Sequence, residues 1–151
     1  MLVGFAFVTL LGIMSLALDG GRLFADRRKA QNTADTASFA GALLIAQADD
    51  GDPTDILEHV KSLAIDKAFA RTASNGYDNN DPDVDVIVIV GEPLFEEGLY
   101  YYTVKVEITS RIDGMLTALV YSGQLTNTVY SIAQVKPVQG IAWGNSLYAT
   151  A

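Results

Sequence analysis

The residues best suited to bind a metal ion lie in a short polar stretch in the middle of the chain. Four aspartates and two asparagines occur within eight residues, at Asp78, Asn79, Asn80, Asp81, Asp83 and Asp85. Carboxylate and amide oxygens are ligands that Ca²⁺ takes, but an EF-hand loop starting at Asp78 would need glycine at its sixth position and glutamate at its twelfth. This chain has Asp83 and Ile89 there. The spacing therefore fails, a solvated turn between a helix and a strand is the favoured interpretation, and calcium binding at 78–85 stays open.

Side chains for nucleophilic catalysis or phosphate binding are few. The chain has no cysteine and a single histidine, His59, which follows Glu58 in a predicted helix. The glycine-rich segment Gly20-Gly21-Arg22 lacks both the Walker spacing and a preceding strand, so we interpret Gly20 and Gly21 as a hinge. We expect no catalytic, cofactor-binding or metal-ligating residue, and we expect that the protein is not an enzyme.

The first eighteen residues are strongly apolar. They contain no charged side chain, and twelve of them are Met, Leu, Val, Ile or Phe, with Asp19 ending the run. A helix of this length spans roughly 27 Å, close to the ~30 Å hydrocarbon core of a bilayer. Burial of each large apolar side chain is worth about 1.5–3 kcal/mol. We therefore expect lipid or other copies of the same helix to exclude water from this segment.

Charge is divided unequally between this N-terminal region and the rest of the chain. Residues 1–48 carry four basic and three acidic side chains, whereas residues 49–151 carry six basic and fifteen acidic ones. A strongly acidic head argues against nucleic-acid binding and suits a surface exposed to water.

The sequence predicts an α+β fold in which a long N-terminal apolar helix, kinked near Gly20 and Gly21, carries a small head. The head is expected to contain a mostly antiparallel three- or four-stranded sheet and two further helices. Helices are predicted over 22–48, 53–73 and 112–120, strands over 84–90, 102–109 and 125–135, and a C-terminal arm over 136–151. The first strand, rich in β-branched residues, is expected to be buried on both faces. We divide the chain into an N-terminal helix (1–48), a head (49–135) and the arm.

The second half of the long helix has a stripe of mostly small residues at helical spacing, which includes Ala30, Ala34, Ala37 and Gly41. Small residues allow helices to approach closely. The stripe is predicted to pack tightly, either on another helix or on the sheet of the same head.

One segment of the sequence resembles a known family. The residues that carry the resemblance are Leu18-Asp19-Gly20-Gly21-Arg22-Leu23-Phe24, then Arg28, Gln31-Asn32-Thr33-Ala34-Asp35-Thr36-Ala37 and Ala40-Gly41-Ala42. This pattern resembles the TadE/TadG-like pilin family of tight-adherence (Flp) pilus systems, which is similar in plan to type IV pilins. The resemblance covers residues 1–48 well and the head weakly.

The resemblance implies passage through the inner membrane as a precursor, leader removal by a prepilin peptidase, contact with the pilus assembly machinery, and assembly with further copies into an extracellular filament for attachment. The alternative is a membrane-anchored minor pilin or assembly factor. Type IV pilins usually carry glutamate at the fifth mature position, where this chain has Phe5. Helix register is then expected to depend on other charged residues.

Two sets of residues are assigned to assembly on this basis. Packing between helices is assigned to Met1, Gly4, Phe5, Val8, Leu11, Gly12, Ser15, Leu18, Ala30, Ala34, Ala37 and Gly41. Charge pairing that sets the register between copies is assigned to Asp19, Arg22, Asp26 and Arg28.

Overall fold

The computed structural model describes residues 1–47, 58–92, 94–96, 99–114 and 123–136. Two helices and four strands follow each other along the chain: α1 (Leu2–Gln47), α2 (Glu58–Ser74), β1 (Val84–Val90), β2 (Leu94–Glu96), β3 (Leu99–Ile112) and β4 (Leu125–Val135). The fold is α+β, as predicted.

Helix α1 is 46 residues long, which corresponds to roughly 69 Å at about 1.5 Å per residue. It has two distinct halves. Residues 2–18 are exposed except for Ser15, which is half-buried, whereas the half from Ala30 to Ile45 presents a buried face to the head. The helix continues without a break through Gly20 and Gly21. These glycines therefore do not unwind it here, and their role as a hinge stays a prediction.

The sheet is built around β3, which pairs antiparallel with each of the other strands. Strand β1 pairs from Val84↔Ser110 to Val90↔Val104, in agreement with the predicted antiparallel sheet. Strand β4 pairs along most of β3, from Tyr102↔Val135 to Ile112↔Leu125. The short strand β2 pairs with the first residues of β3 and was not predicted.

In the part of the chain that the structure describes, one face of the sheet is buried and the other is largely exposed. Val84 and Val86 face the core, whereas Ile87 and Ile89 are 51% and 50% exposed. The prediction that β1 is buried on both faces is therefore wrong. A run of β-branched residues fits a fully buried strand and a strand with one apolar exposed face equally well, since side chains alternate between faces in both cases.

The core lies between the inner face of the sheet and the two helices. Small residues of α1 and α2 pack on large residues of the strands in two adjoining clusters: one contains Ala34, Ala68 and Ile108, the other Ile45 and Tyr102. Because the helix residues at the contact are mostly alanines, the strands supply much of the apolar volume.

Several element boundaries differ from those predicted. Strand β3 is longer than the predicted 102–109, and its last residue, Ile112, pairs with Leu125. The assignment of Ile112 to a short helix is therefore wrong. Residues 113 and 114 of that predicted helix are also not helical. Its remainder (115–120), the predicted start of α2 before Glu58 and the C-terminal arm beyond Lys136 lie outside the described residues.

Candidate functional site

The first feature that can carry function is the exposed apolar half of α1. Its side chains face outward all around the helix; Phe5 is 78% exposed and Leu16 is 72% exposed. By length and composition, α1 is the one helix among the described residues that can cross a membrane; its most apolar window has a mean hydropathy of 2.1. Such a surface requires lipid or protein around it.

Eight of the residues assigned to helix packing lie on this exposed half. These are Met1, Gly4, Phe5, Val8, Leu11, Gly12, Ser15 and Leu18. No atom outside the local helix backbone lies within 4 Å of a Cβ built on Gly4 or Gly12. Both glycines leave shallow positions on the helix where a second helix can approach, and their contact with other copies stays a prediction.

The other four residues of that set are placed differently. Ala30, Ala34 and Ala37 are 0% exposed, and Gly41 is also buried, all against the head of the same chain. Their assignment to packing between copies is corrected, because no surface of these side chains is left for another molecule. The small-residue stripe contacts both kinds of partner that were considered, a second helix (α2) and the sheet, and both belong to its own head.

Gly41 marks the closest approach of α1 to the head. A Cβ at this position would lie 3.0 Å from the carbonyl oxygen of Ala64 in α2 and 3.1 Å from Cγ1 of Val104 in β3. Any larger side chain would push either a helix backbone or a buried strand residue. Glycine is therefore required by the contact between three elements, and its freedom in φ is not used here.

The second feature is a polar cluster at the junction between α1 and the head, centred on Asp26. Three side chains from three other segments donate hydrogen bonds to its carboxylate. The Tyr77 hydroxyl lies 2.9 Å from Oδ1, and the Asn127 Nδ2 atom lies 3.2 Å from Oδ2, which also accepts from the Ser110 hydroxyl. One carboxylate thus joins α1 to the turn after α2, to β3 and to β4.

Tyr77 completes this junction. It is 2% exposed, and burial, followed by the hydrogen bond and the negative charge of Asp26, raises its pKa above the ordinary value of a tyrosine. The ammonium of Lys29 lies 5.1 Å from the centre of the Tyr77 ring. The preceding Gly76 has a φ of +86°, a left-handed conformation that favours glycine and turns the chain so that Tyr77 enters the core.

The four residues assigned to charge pairing between copies are placed as follows. Asp26 is half-buried and engaged within its own chain, Asp19 is only 3% exposed, and Arg22 and Arg28 are exposed. The carboxylate oxygens of Asp26 therefore accept hydrogen bonds that hold the head on α1. Pairing of Arg22 or Arg28 with another copy stays a prediction.

Sequence analysis did not identify the partners of Asp26. Ser110 and Asn127 are paired with each other at inward-facing positions of β3 and β4, where the alternation of each strand places mostly apolar residues. Buried polar groups need hydrogen-bond partners. Two polar residues on the inner faces of adjacent strands were therefore the available signal of a buried acceptor.

The acidic turn that suggested calcium is held together by its own hydrogen bonds. Asp78 Oδ1 accepts from the backbone and side-chain nitrogens of Asn80, and Asp81 Oδ1 accepts from the backbone nitrogen of Asp83. Asn79 exchanges two hydrogen bonds with the backbone of Val86, and so extends the edge of β1. Within the described ranges, no three His, Cys, Asp or Glu side chains are grouped as metal ligands would be.

The arrangement at Asp26 has a mechanical consequence. A charged acceptor with three donors fixes the orientation of the head on α1 just beyond the apolar segment.

The one histidine of the sequence, His59, is exposed on α2.

Comparison with known proteins agrees with the position of these features. No curated protein and no solved structure gives a significant match to the chain. Residues 1–48, roughly a third of the chain, match the Tad family model, described as Flp pilus-assembly TadE/G-like. The matched region covers all of α1, including the apolar segment and Asp26, and supports a role in Flp (Tad) pilus systems. The N-terminal 48 residues of this chain are therefore similar to the TadE/G-like Flp pilus-assembly domain.

Proposed function

We propose that this protein is a structural subunit of a Flp pilus, which assembles through residues 1–18 into an extracellular filament. The observation that carries the proposal is an apolar helix exposed on all sides, within a region that matches a pilus-assembly family. The inner membrane covers this helix before assembly, and the helices of other copies cover it afterwards. Attachment to surfaces is then the function of the filament as a whole.

Burial supplies the driving force for this assembly. Twelve large apolar side chains lie between Met1 and Leu18. Since each contributes about 1.5–3 kcal/mol when removed from water, a helix outside the membrane is stable only inside an assembly. Within lipid this term is absent, so close contact at small residues such as Gly4 and Gly12 must contribute the specificity.

A structural role is proposed in preference to a catalytic one because the polar groups that converge in the head have a structural task. The carboxylate of Asp26 accepts hydrogen bonds from Tyr77, Ser110 and Asn127, and these bonds fix the head to α1. The acidic residues of the turn after α2 cap backbone nitrogens.

A second candidate is a membrane-anchored minor pilin or assembly factor, whose apolar helix stays in lipid. The observation that favours it is α1 itself, which by length and composition can cross a membrane.

The two candidates differ in what surrounds the apolar helix, and the full-length protein in its native cells separates them. Sheared surface material is examined by negative-stain microscopy with a label against the head. Labelling along the length of filaments supports the structural subunit. Filaments without label, with the protein confined to the membrane fraction, would instead support the minor component.

A bulky substitution tests the packing surface itself. Gly12→Leu keeps the segment apolar, so the protein should remain in the membrane, but the added side chain should block close helix contact and reduce filaments. Ala6→Leu is the matched control, because at 100° per residue Ala6 lies opposite the assigned packing face. Equal filament yields from the two variants would contradict packing at Gly12.

A further inference from the structure

The head carries a groove between α1 and α2 that differs in charge from the rest of the molecule. Two adjoining hollows of about 610 and 670 Å³, which share Thr36 and Arg71, form this α1–α2 groove. Its cations are Arg28 and Lys29 from α1 and Lys67 and Arg71 from α2. All four are exposed.

Large apolar side chains also line the α1–α2 groove. Phe39 is 66% exposed and Leu43 is 46% exposed, although both belong to the half of α1 that packs on the head. Asp35 is the one acidic residue that lines the described groove, and it accepts a hydrogen bond from Gln31. A groove lined by both basic and large apolar side chains fits a segment that is both acidic and apolar.

The chain itself contains such a segment at the other end of the head. Residue 92 together with strand β2 (Leu94–Glu96), here called the β2 tip, has two glutamates and no basic residue. Within this β2 tip, Leu94 is 50% exposed and Phe95 is 63% exposed, while the Glu92 side chain is 84% exposed and contacts Lys61 at 3.2 Å. Large exposed apolar residues beside carboxylates complement the α1–α2 groove both in charge and in apolar character.

The position of the β2 tip prevents it from reaching the groove of its own chain without unpairing from β3. Strand β2 pairs with the first residues of β3, beyond Tyr102, which packs with Ile45 near the end of α1. The opposite end of β3 contacts Asp26 through Ser110. The tip therefore lies past Ile45, whereas the groove is centred near Thr36, so about 14 Å or more separates them along α1.

We propose that the β2 tip of one copy docks into the α1–α2 groove of a second copy in the filament. This inference rests on the proposed function and deepens it by naming the surfaces in contact. Because the two surfaces differ, the contact is heterologous, and an axial shift of about 14 Å or more between neighbours keeps it from closing. Repetition of one such contact yields a filament.

Disulfide cross-linking tests the contact, since the natural chain has no cysteine and gives no background. In the double variant Phe39→Cys/Phe95→Cys, each copy offers one thiol in the groove and one in the tip. Oxidised filaments should give a ladder of covalent multimers on a non-reducing gel, which collapses to monomer on reduction. The matched control is Phe39→Cys/Ile132→Cys, since Ile132 is 55% exposed on the outer face of the sheet. This control should give no ladder.

Charge reversal provides an independent measurement. Arg71→Glu and Glu92→Lys should each reduce filament yield about tenfold at equal subunit levels, and the double variant should recover most of that loss. An additive loss in the double variant would contradict direct contact between these charges.

The outcomes also separate this inference from the proposed function. If labelled filaments form but the groove–tip double variant gives no more ladder than its control, docking of the tip is refuted and the subunit role stands. If the unsubstituted protein never enters filaments, both proposals fall.

Discussion

Replacement of Asp26 tests whether one carboxylate holds the head on the long helix. Asp26→Ala removes the acceptor shared by the hydroxyls of Tyr77 and Ser110 and the amide of Asn127. Because Tyr77 and Ser110 are buried, with 2% and 4% exposure, their hydroxyls cannot turn freely to water. The free energy of unfolding should therefore fall.

The size of the effect follows from the number and type of bonds. A hydrogen bond to a charged group is worth about 1.5–3 kcal/mol, and a donor left unsatisfied in the interior costs about 1–3 kcal/mol. Asp26 is half-buried, and the Tyr77 hydroxyl keeps a 3.3 Å contact with the Asp26 carbonyl oxygen, so the terms do not add in full. We expect Asp26→Ala to lower the free energy of unfolding by about 2–4 kcal/mol. Asp26→Asn, which keeps the shape but loses the charge, should cost about half as much.

The assay is urea denaturation of the full-length protein in detergent micelles, followed by circular dichroism. Asp35→Asn is the matched control, because Asp35 is an exposed carboxylate on the same helix that accepts one hydrogen bond from a side chain. It should change the free energy of unfolding by less than about 0.5 kcal/mol. If Asp26→Ala behaved like this control, the cluster would not hold the junction and the reasoning from its geometry would be wrong.

Three other predictions use the same measurement. Because the pKa of Tyr77 is raised in the folded protein, the stability that its protonated hydroxyl contributes is complete below about pH 10 and is lost at higher pH. The free energy of unfolding of Tyr77→Phe should therefore fall less steeply between about pH 9 and 11 than that of the unsubstituted protein. Equal slopes would contradict this. Gly41→Val should cost about 1–3 kcal/mol through overpacking, whereas Gly20→Ala, with open space around its Cβ, should gain about 0.5–1 kcal/mol; similar values for both would argue against the close approach at Gly41. Asn79→Ala should cost about 1–2 kcal/mol because it removes two hydrogen bonds to Val86, and Asn80→Ala, as control, should cost less.

Features that depend on local pattern were predictable from the sequence. The bounds of β1 and β4 follow directly from runs of β-branched and apolar residues between turn signals. The apolar helix, with no charge before Asp19, is evident from composition alone. The small-residue stripe was recognised because its members lie three or four residues apart on one helix face.

Features that depend on which surfaces meet were not predictable in this way. The stripe predicts tight packing but not the partner, and only the fold places Ala34 against its own head. The same applies to Asp26: a charged residue in a helix next to an apolar segment fits pairing with another copy as well as hydrogen bonds within one chain. The three segments that donate hydrogen bonds to Asp26 are brought together by the pairing of β3 with β4 and by the turn at Gly76.

The sequence by itself determined that the chain has an apolar helix which water cannot surround, because hydrophobicity and helix length are properties of the residues in order. The tertiary structure alone decided which half of that helix remains exposed. One face of residues 30–45 is covered because its alanines fit the strands and α2, whereas residues 2–18 are exposed apart from the half-buried Ser15. The division of α1 into an exposed part and a part covered by the head arises from contacts between segments that are distant in sequence. Such contacts cannot be read from a local sequence pattern.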